Sequence, residues 1–292
     1  MTDSAPHRHR VTLPGITLSY LEWPAPGEPV ILLHGLADHA GVWASLGACL
    51  ATGALSARGQ RFHCLAPDLR GHGDSDKPTT GYQTDVMVAD LNALLDSLGW
   101  ESAHVVCHSW SAQIAAVWAT QYPDRVRSLV FVDPFFIDRM PNWMGLTFPI
   151  LYRVLPFLQT MGPFASYEAA EQVARGLKQY QGWTPHQQAV FHDSMERKPD
   201  GRWGSKFVVQ ARDGIFDDVR RVAGLTQPLT LPCLFLQPEK GLNRSEWQLT
   251  PYRRYLPNLQ VHQIPGNHWP FLVEPTAFNQ AVTEFLVRVT RQ

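Results

Sequence analysis

The stretch His104-Val-Val-Cys-His-Ser109-Trp-Ser-Ala-Gln-Ile-Ala-Ala116 decides how the chain is read. A short apolar, β-branched run enters a turn of small residues, and a helical pattern over Ser111–Gln121 leaves it and stops before Pro123. A serine therefore stands at the tip of a sharp strand-to-helix turn, at the positive end of a helix. This has the form of a nucleophile elbow with its usual G-x-S-x-G pattern altered, because Cys107 and Ser111 take the places of the glycines. Both replacements are small, which the close crossing of strand and helix requires. On its own the motif also fits a serine that caps an ordinary helix.

Further runs of this kind lie on either side. Val30–Leu33, Phe62–Ala66, Ser128–Val132, Cys233–Gln237 and Gln260–Ile264 read as strands, like His104–Cys107. Thr84–Leu98 reads as a helix with Met87, Leu91, Leu94, Leu95 and Leu98 on one face and Gly99 placed to end it. Pro275–Arg288 is a further helix, turning Phe278, Val282, Phe285 and Leu286 inward. Strands alternating with helices predict an α/β fold, with a mostly parallel sheet covered on both faces. Arg10–Leu13 and Ile16–Leu21, on either side of Pro14-Gly15, read as an opening antiparallel hairpin. The preceding His7–His9 reads as a frayed tail rather than a zinc site.

The alternation breaks between Pro134 and about Leu231, in a segment helical in pattern and rich in aromatic residues. These are Phe135, Phe136, Trp143, Phe148, Tyr152, Phe157, Phe164, Tyr167, Tyr180 and Trp183. The reading is a core of residues 1–134 and 232–292, with 135–231 as a helical cap inserted between two strands. Such a cap would lie over the C-terminal edge of the sheet, where open α/β sheets bind ligands. Most of its aromatics are expected to build a small core of its own, and a few to line a pocket.

With 292 residues, 45% of them hydrophobic, the chain can bury one large core. Its 25 basic and 26 acidic residues nearly cancel and form no like-charged run, so neither nucleic acid nor an anionic membrane is an expected partner. No stretch reaches the roughly 20 apolar residues of a membrane helix, and MTDSAPHRHR lacks the apolar run of a secretory signal. Cys49, Cys64, Cys107 and Cys233 form no CxxC pair and read as free thiols, mostly buried. That suits a reducing compartment, so the expected location is cytoplasmic. The 12 histidines show no metal-ligand spacing, and neither a metal nor an organic cofactor is expected. The expected partner is a small-molecule substrate.

Two further segments give the serine a context. Leu33-His34-Gly35-Leu36 follows a strand and would lie beside the elbow, making the backbone N–H groups of Leu36 and Trp110 the candidates for an oxyanion hole. His34 itself is expected to brace that loop. Ile264-Pro-Gly-Asn-His268-Trp-Pro-Phe places a histidine on a loop between a strand and the last helix. A serine hydroxyl is a poor nucleophile until a base takes its proton, and imidazole suits that task near neutral pH, so His268 is the candidate base.

Together, His34-Gly35, Pro67–Ser75 (PDLRGHGDS), His108–Trp110 and Gly266–His268 occur in an order that resembles the α/β-hydrolase fold from about Thr17 to the end. The resemblance implies a serine-nucleophile hydrolase of esters or related activated carbonyls. Ser109 would attack, His268 would shuttle the proton and an acid would orient His268. In many members that acid is an aspartate after the strand following the cap. Here the stretch reads Gln237-Pro-Glu-Lys-Gly241-Leu-Asn, with glycine where the aspartate would fall. Other branches carry it after the strand that follows the elbow helix, and there the chain offers Asp133; Glu239 is the alternative. The acid position and Trp110 also resemble haloalkane dehalogenases and epoxide hydrolases, but those families use an aspartate nucleophile. Cofactor-independent ring-cleaving dioxygenases, carbon–carbon bond hydrolases and non-turnover ligand-binding proteins on the same fold remain alternatives.

Overall fold

The computed structural model describes residues 5–135, 137–147, 155, 158 and 161–291. Eight strands form one sheet in the order β1-β2-β4-β3-β5-β6-β9-β10. They are β1 (His7–Leu13), β2 (Ile16–Trp23), β3 (Glu28–Leu33), β4 (Phe62–Pro67), β5 (Ala103–His108), β6 (Val126–Val132), β9 (Cys233–Lys240) and β10 (Leu259–Asn267). Pairing is antiparallel from β1 to β2 and β2 to β4, and parallel across the rest. Two shorter strands, β7 (Met195–Arg197) and β8 (Trp203–Ser205), pair only with each other.

The central strands read as continuous apolar runs because both of their faces are buried. Ile31, Leu33, Val105, Cys107, Leu129, Phe131, Cys233 and Phe235 join one core cluster, with side chains of the helices α2 (Thr84–Ser97) and α3 (Ser111–Gln121). The alternate residues Val30, Leu32, Val106, Val130, Val132, Leu234 and Leu236 join a second cluster, with α1 (Ala44–Thr52) and the helix Pro275–Val289. The period of two along each strand thus sorts the side chains into two layers of core. Among the described residues, no helix is long and apolar enough to cross a membrane.

Three expectations are corrected. His7–His9 is not a frayed tail: it opens β1, registered from His7 opposite Glu22, with His9 stacked on Tyr20 and Arg8 paired to Asp68, Asp74 and Asp193. The segment between β6 and β9 is not helical throughout, since it contains the β7–β8 hairpin. Its described aromatics do not form a separate core either. Tyr180 and Phe191 lie in the same cluster as Trp43 and Phe271, and Phe207 and Phe216 lie in the cluster of α2 and α3. Phe136, Phe148, Tyr152 and Phe157 lie outside the described residues.

The PDLRGHGDS turn after β4 is held by its own polar residues. Asp68 is fully buried and accepts from the N–H groups of Ala40 (2.7 Å) and Asp74 (3.0 Å). A Cβ at Gly73 would fall 2.4 Å from either carboxylate oxygen of Asp68, so that position needs glycine for space as well as for its φ of +47°. Arg70 reaches Asp90 of α2 through two bonds of 2.7 Å, both side chains being buried. Burial raises the Asp90 carboxyl above its ordinary value even though the guanidinium opposes this. Removing one member of such a pair leaves an uncompensated charge in the interior. Asp90→Ala is therefore expected to lose about 3–5 kcal/mol of stability, read from the urea midpoint; a loss below about 1 kcal/mol would place the pair among surface-like bridges.

Candidate active site

The elbow places Ser109 directly after β5 with φ at +54°, a left-handed conformation unusual for a residue with a side chain. Backbone bonds hold it there, from Ser109 N–H to Val132 O (3.1 Å) and from Phe135 N–H to Ser109 O (3.1 Å). Ser111, standing where the motif usually has glycine, is wholly buried and serves as a tie. Its Oγ accepts from His108 N–H (3.0 Å) and lies 2.9 Å from the carbonyls of Leu33 and His108, with one hydrogen to give. The substitution thus adds a bond between the elbow and the end of β3.

The loop after β10 carries His268 to the serine. Ser109 Oγ–H donates to His268 Nε2 (3.0 Å), and His268 Nδ1–H donates to Asp133 Oδ2 (2.6 Å). Asp133 sits at the end of β6 with no solvent exposure. Its carboxylate accepts from four donors: His268 Nδ1 and Leu242 N–H (2.7 Å) on Oδ2, and Asn243 N–H (3.1 Å) and Asn243 Nδ2 (2.9 Å) on Oδ1. Both oxygens are thereby saturated. Burial alone would raise this carboxyl, but the His268 hydrogen bond and charge, with the Leu242 and Asn243 donors, pull it below its ordinary value. Burial lowers His268 below its ordinary 6.5, against the Asp133 hydrogen bond and with further lowering from the nearby His108.

Glu239, the alternative acid, is exposed near the end of β9. Gly241 lies where the acid of other members would fall, and the reason for glycine is steric: a Cβ there would come 2.6 Å from Asp133 Oδ2. The carboxylate of residue 133 fills the space beside this loop.

Trp110 follows the serine and Leu36 lies on the loop after β3, and among the described residues no acceptor is found for either N–H. His34 is fixed on both sides: Nδ1–H donates to Gly35 O (2.8 Å) and Nε2 accepts from Leu69 N–H (3.0 Å). That arrangement ties the Leu36 loop to the turn after β4. Trp110 stacks on the buried His72, which stacks in turn on Phe207. Two features of the site had no sequence signal, the Asn243 clamp on Asp133 and the partners of His108, since each joins residues far apart in the chain. A cleft of about 580 Å³ opens beyond the clamp, bounded by Phe135, Ile137, Asn243, Trp247 and Tyr255. Of the aromatics expected to line a pocket, Phe135 is one that does, while Trp247 and Tyr255 come from the helix Glu246–Tyr255.

Residues 28–229 match the family model of the alpha/beta hydrolase fold. Among curated proteins, the chain is 32% identical over 144 residues to a soluble epoxide hydrolase of Corynebacterium sp., covering 49% of this chain and 46% of that protein. It is 34% identical over 135 residues to a haloalkane dehalogenase of Bradyrhizobium diazoefficiens, covering 46% and 40%. The chain thus spans less than half the length of these two relatives. A 2-(acetamidomethylene)succinate hydrolase of Mesorhizobium japonicum is 26% identical over 287 residues, covering 95% of this chain and 94% of that protein. A solved E-2-(acetamidomethylene)succinate hydrolase superposes with a TM-score of 0.76 at 25% identity, covering 97% of this chain and 99% of that one.

The tight seat of Asp133 against Gly241 can be tested without any substrate. Gly241→Ala puts a methyl group where the carboxylate lies and is expected to cost about 1–3 kcal/mol of stability, the scale of local overpacking. The low-field proton resonance of the His268–Asp133 hydrogen bond should shift or vanish with it. An unchanged resonance and an unchanged urea midpoint would mean that the loop yields freely.

Proposed function

Because the chain belongs to the α/β-hydrolase fold family, we propose that it is a serine hydrolase that cleaves an ester or related activated carbonyl of a small, largely apolar substrate through an acyl-enzyme. The observation that carries this reading is the unbroken hydrogen-bonded line from Ser109 through His268 to Asp133. Ser109 Oγ adds to the carbonyl carbon as its hydrogen passes to His268 Nε2. Asp133 keeps Nδ1 protonated, so that Nε2 is the free base, and it then faces the imidazolium that forms. The carbonyl oxygen becomes an oxyanion on the N–H groups of Leu36 and Trp110. The leaving alcohol takes the proton from His268, and water repeats the sequence to release the acid. Donors of this kind contribute on the order of 10²–10³ in turnover, and a positioned base about 10²–10⁴.

Several features support the reading beyond this line. The amides of Leu36 and Trp110 lack other acceptors among the described residues. A serine favours attack on acyl carbon, whereas the carboxylate nucleophiles of epoxide hydrolases and dehalogenases suit displacement at alkyl carbon. The aromatic side chains near the elbow, Trp110 and Phe207 on either side of His72, suit apolar groups. The near full-length likeness to a 2-(acetamidomethylene)succinate hydrolase makes that compound, a dicarboxylate, the polar comparison for the apolar reading.

A panel of p-nitrophenyl esters of rising acyl length, with that compound beside it, tests the proposal. Butyrate and longer esters should outperform acetate, each methylene that finds a dry pocket adding up to about 0.8 kcal/mol. A fluorophosphonate should label the protein once and leave Ser109→Ala unlabelled; equal labelling of the variant sinks the assignment. Hydrolysis should rise with pH as His268 loses its proton, with its half-point below 6.5 because burial lowers this imidazole. A rate with no fall on acidification anywhere in the range where the protein stays folded would exclude histidine as the base.

The acid is decided by a separate pair of variants. Asp133→Asn keeps the shape and removes the charge, and its turnover should fall on the order of 10⁴-fold. Glu239→Gln should remain near wild type, since Glu239 is exposed. The reverse outcome would make Glu239 the third member, and two active variants would leave a dyad.

A further inference from the structure

The base stands just beyond the end of an edge strand. β10 ends at Asn267, pairs only with β9 and slips register between Ile264 and Asn267, so the sheet offers the loop that follows no neighbour on its outer side. From the inner side, His108 Nε2–H donates to the main-chain oxygen of His268 (2.8 Å). On the outer side the loop is met by the segment between β6 and β9, which belongs to neither strand pair.

Asn267, which the proton path above does not use, has each end of its amide engaged. Its Oδ1 accepts from Trp269 N–H (2.9 Å), closing a turn across His268, and its Nδ2 donates to Lys178 O (2.9 Å). Beyond His268, Leu272 O accepts from Gln187 Nε2 (3.0 Å), which also donates to Gln181 O (3.0 Å). Gln187 Oε1 accepts from Thr184 N–H (2.9 Å), so this side chain, with no solvent exposure, uses both hydrogens and its oxygen. Phe271 and Leu272 share an apolar cluster with Tyr180 and Phe191 of the same segment.

The ties at Asn267 and Leu272 thus lie on either side of His268 and end on one short stretch. A single tie would let the loop swing about it, whereas two fix both the place and the direction of the main chain that carries the imidazole. We infer that residues 178–187 form the seat of the base, with Asn267 and Gln187 as positioning residues that keep His268 in line between Ser109 and Asp133. The consequence for turnover rests on the function proposed above; the seating of His268 does not. A group displaced by about 1 Å from its working place can cost about 10² in rate, so loss of either tie should be felt in turnover although neither residue touches the reacting atoms.

Two substitutions in the whole protein test the seat. Asn267→Ser keeps an oxygen for Trp269 N–H but is too short for Lys178 O, and Gln187→Met keeps the length while removing the donor to Leu272 O. Beside them stands Ser166→Ala, which removes the side-chain cap of the helix Tyr167–Ala174 in the same segment and touches neither tie. The low-field proton resonance of the His268–Asp133 hydrogen bond should broaden or vanish in both seat variants and persist in Ser166→Ala. A persistent resonance in Asn267→Ser, or one lost equally in Ser166→Ala, overturns the inference, and Asn267→Ser carries the test alone if Gln187→Met fails to fold. In the ester assay the seat variants should lose roughly ten- to a hundredfold in kcat with little change in KM, while Ser166→Ala stays near wild type. A lost resonance with kcat unchanged would overturn the link to turnover. A wild type without esterase activity would count against the proposed function alone, because the resonance reads the seat of His268 with no substrate present.

Discussion

A carboxylate with no access to water constrains everything around it. Asp133 is that group here, and an interior charge is tolerated only where each of its acceptor directions meets a donor. The four donors come from three residues on two segments: His268 on the loop after β10, and the adjacent Leu242 and Asn243 after β9. Asn243 also donates to Pro134 O and accepts at its own carbonyl from Gln237. The C-terminal ends of β6, β9 and β10 are thereby joined through one side chain. An orienting group must itself be immobile, and this carboxylate is fixed from every side before it meets the imidazole.

The backbone beside it carries a cost. Ser109 and Asp133 both have positive φ, +54° and +38°, and such conformations cost about 1–3 kcal/mol each for residues with side chains. Neighbouring strands offset this: Ser109 N–H bonds to Val132 O, and Asp133 N–H bonds to Leu236 O. The two turns share a strand, since Val132 is the last residue of β6 and Asp133 follows it. The same sheet that fixes the serine also fixes the acid, so their separation is set by parallel strand pairing rather than by loop conformation. His268 spans what remains, and its main chain is held in turn by His108 on β5.

The sheet was legible wherever burial on both faces leaves an unbroken apolar run, as in β3, β5 and β6. The helix Ser111–Gln121 was legible to the residue because a small-residue turn begins it and Pro123 lies just beyond its end. β1 was legible only from Arg10 to Leu13, as one arm of the opening hairpin; its first residues, His7–His9, lack such a run. Its place depends on ion pairs to residues up to 185 positions away. β7 and β8, three residues each, are too short to show a period. At the site, Ser109, His268, Asp133, Leu36 and Trp110 could be nominated because local patterns mark the turns on which they stand. Asn243 carries no such mark, and only the fold brings it to its partner.

Gly241 shows how a missing residue can be informative once the geometry is known. The two places from which members of this fold supply an acid, the end of β6 and the loop after β9, converge on the same face of the histidine. A side chain at 241 would collide with the carboxylate of 133, at 2.6 Å from the first added carbon alone. The two positions cannot both carry a side chain of any size while Asp133 keeps its present place. Glycine at 241 and aspartate at 133 are thus one structural choice written at two positions, and the backbone N–H groups of Leu242 and Asn243 complete it by pointing at the acid rather than at solvent. A chain with its acid on the later loop would need those amides satisfied in some other way, so the change involves the whole clamp and not a single residue.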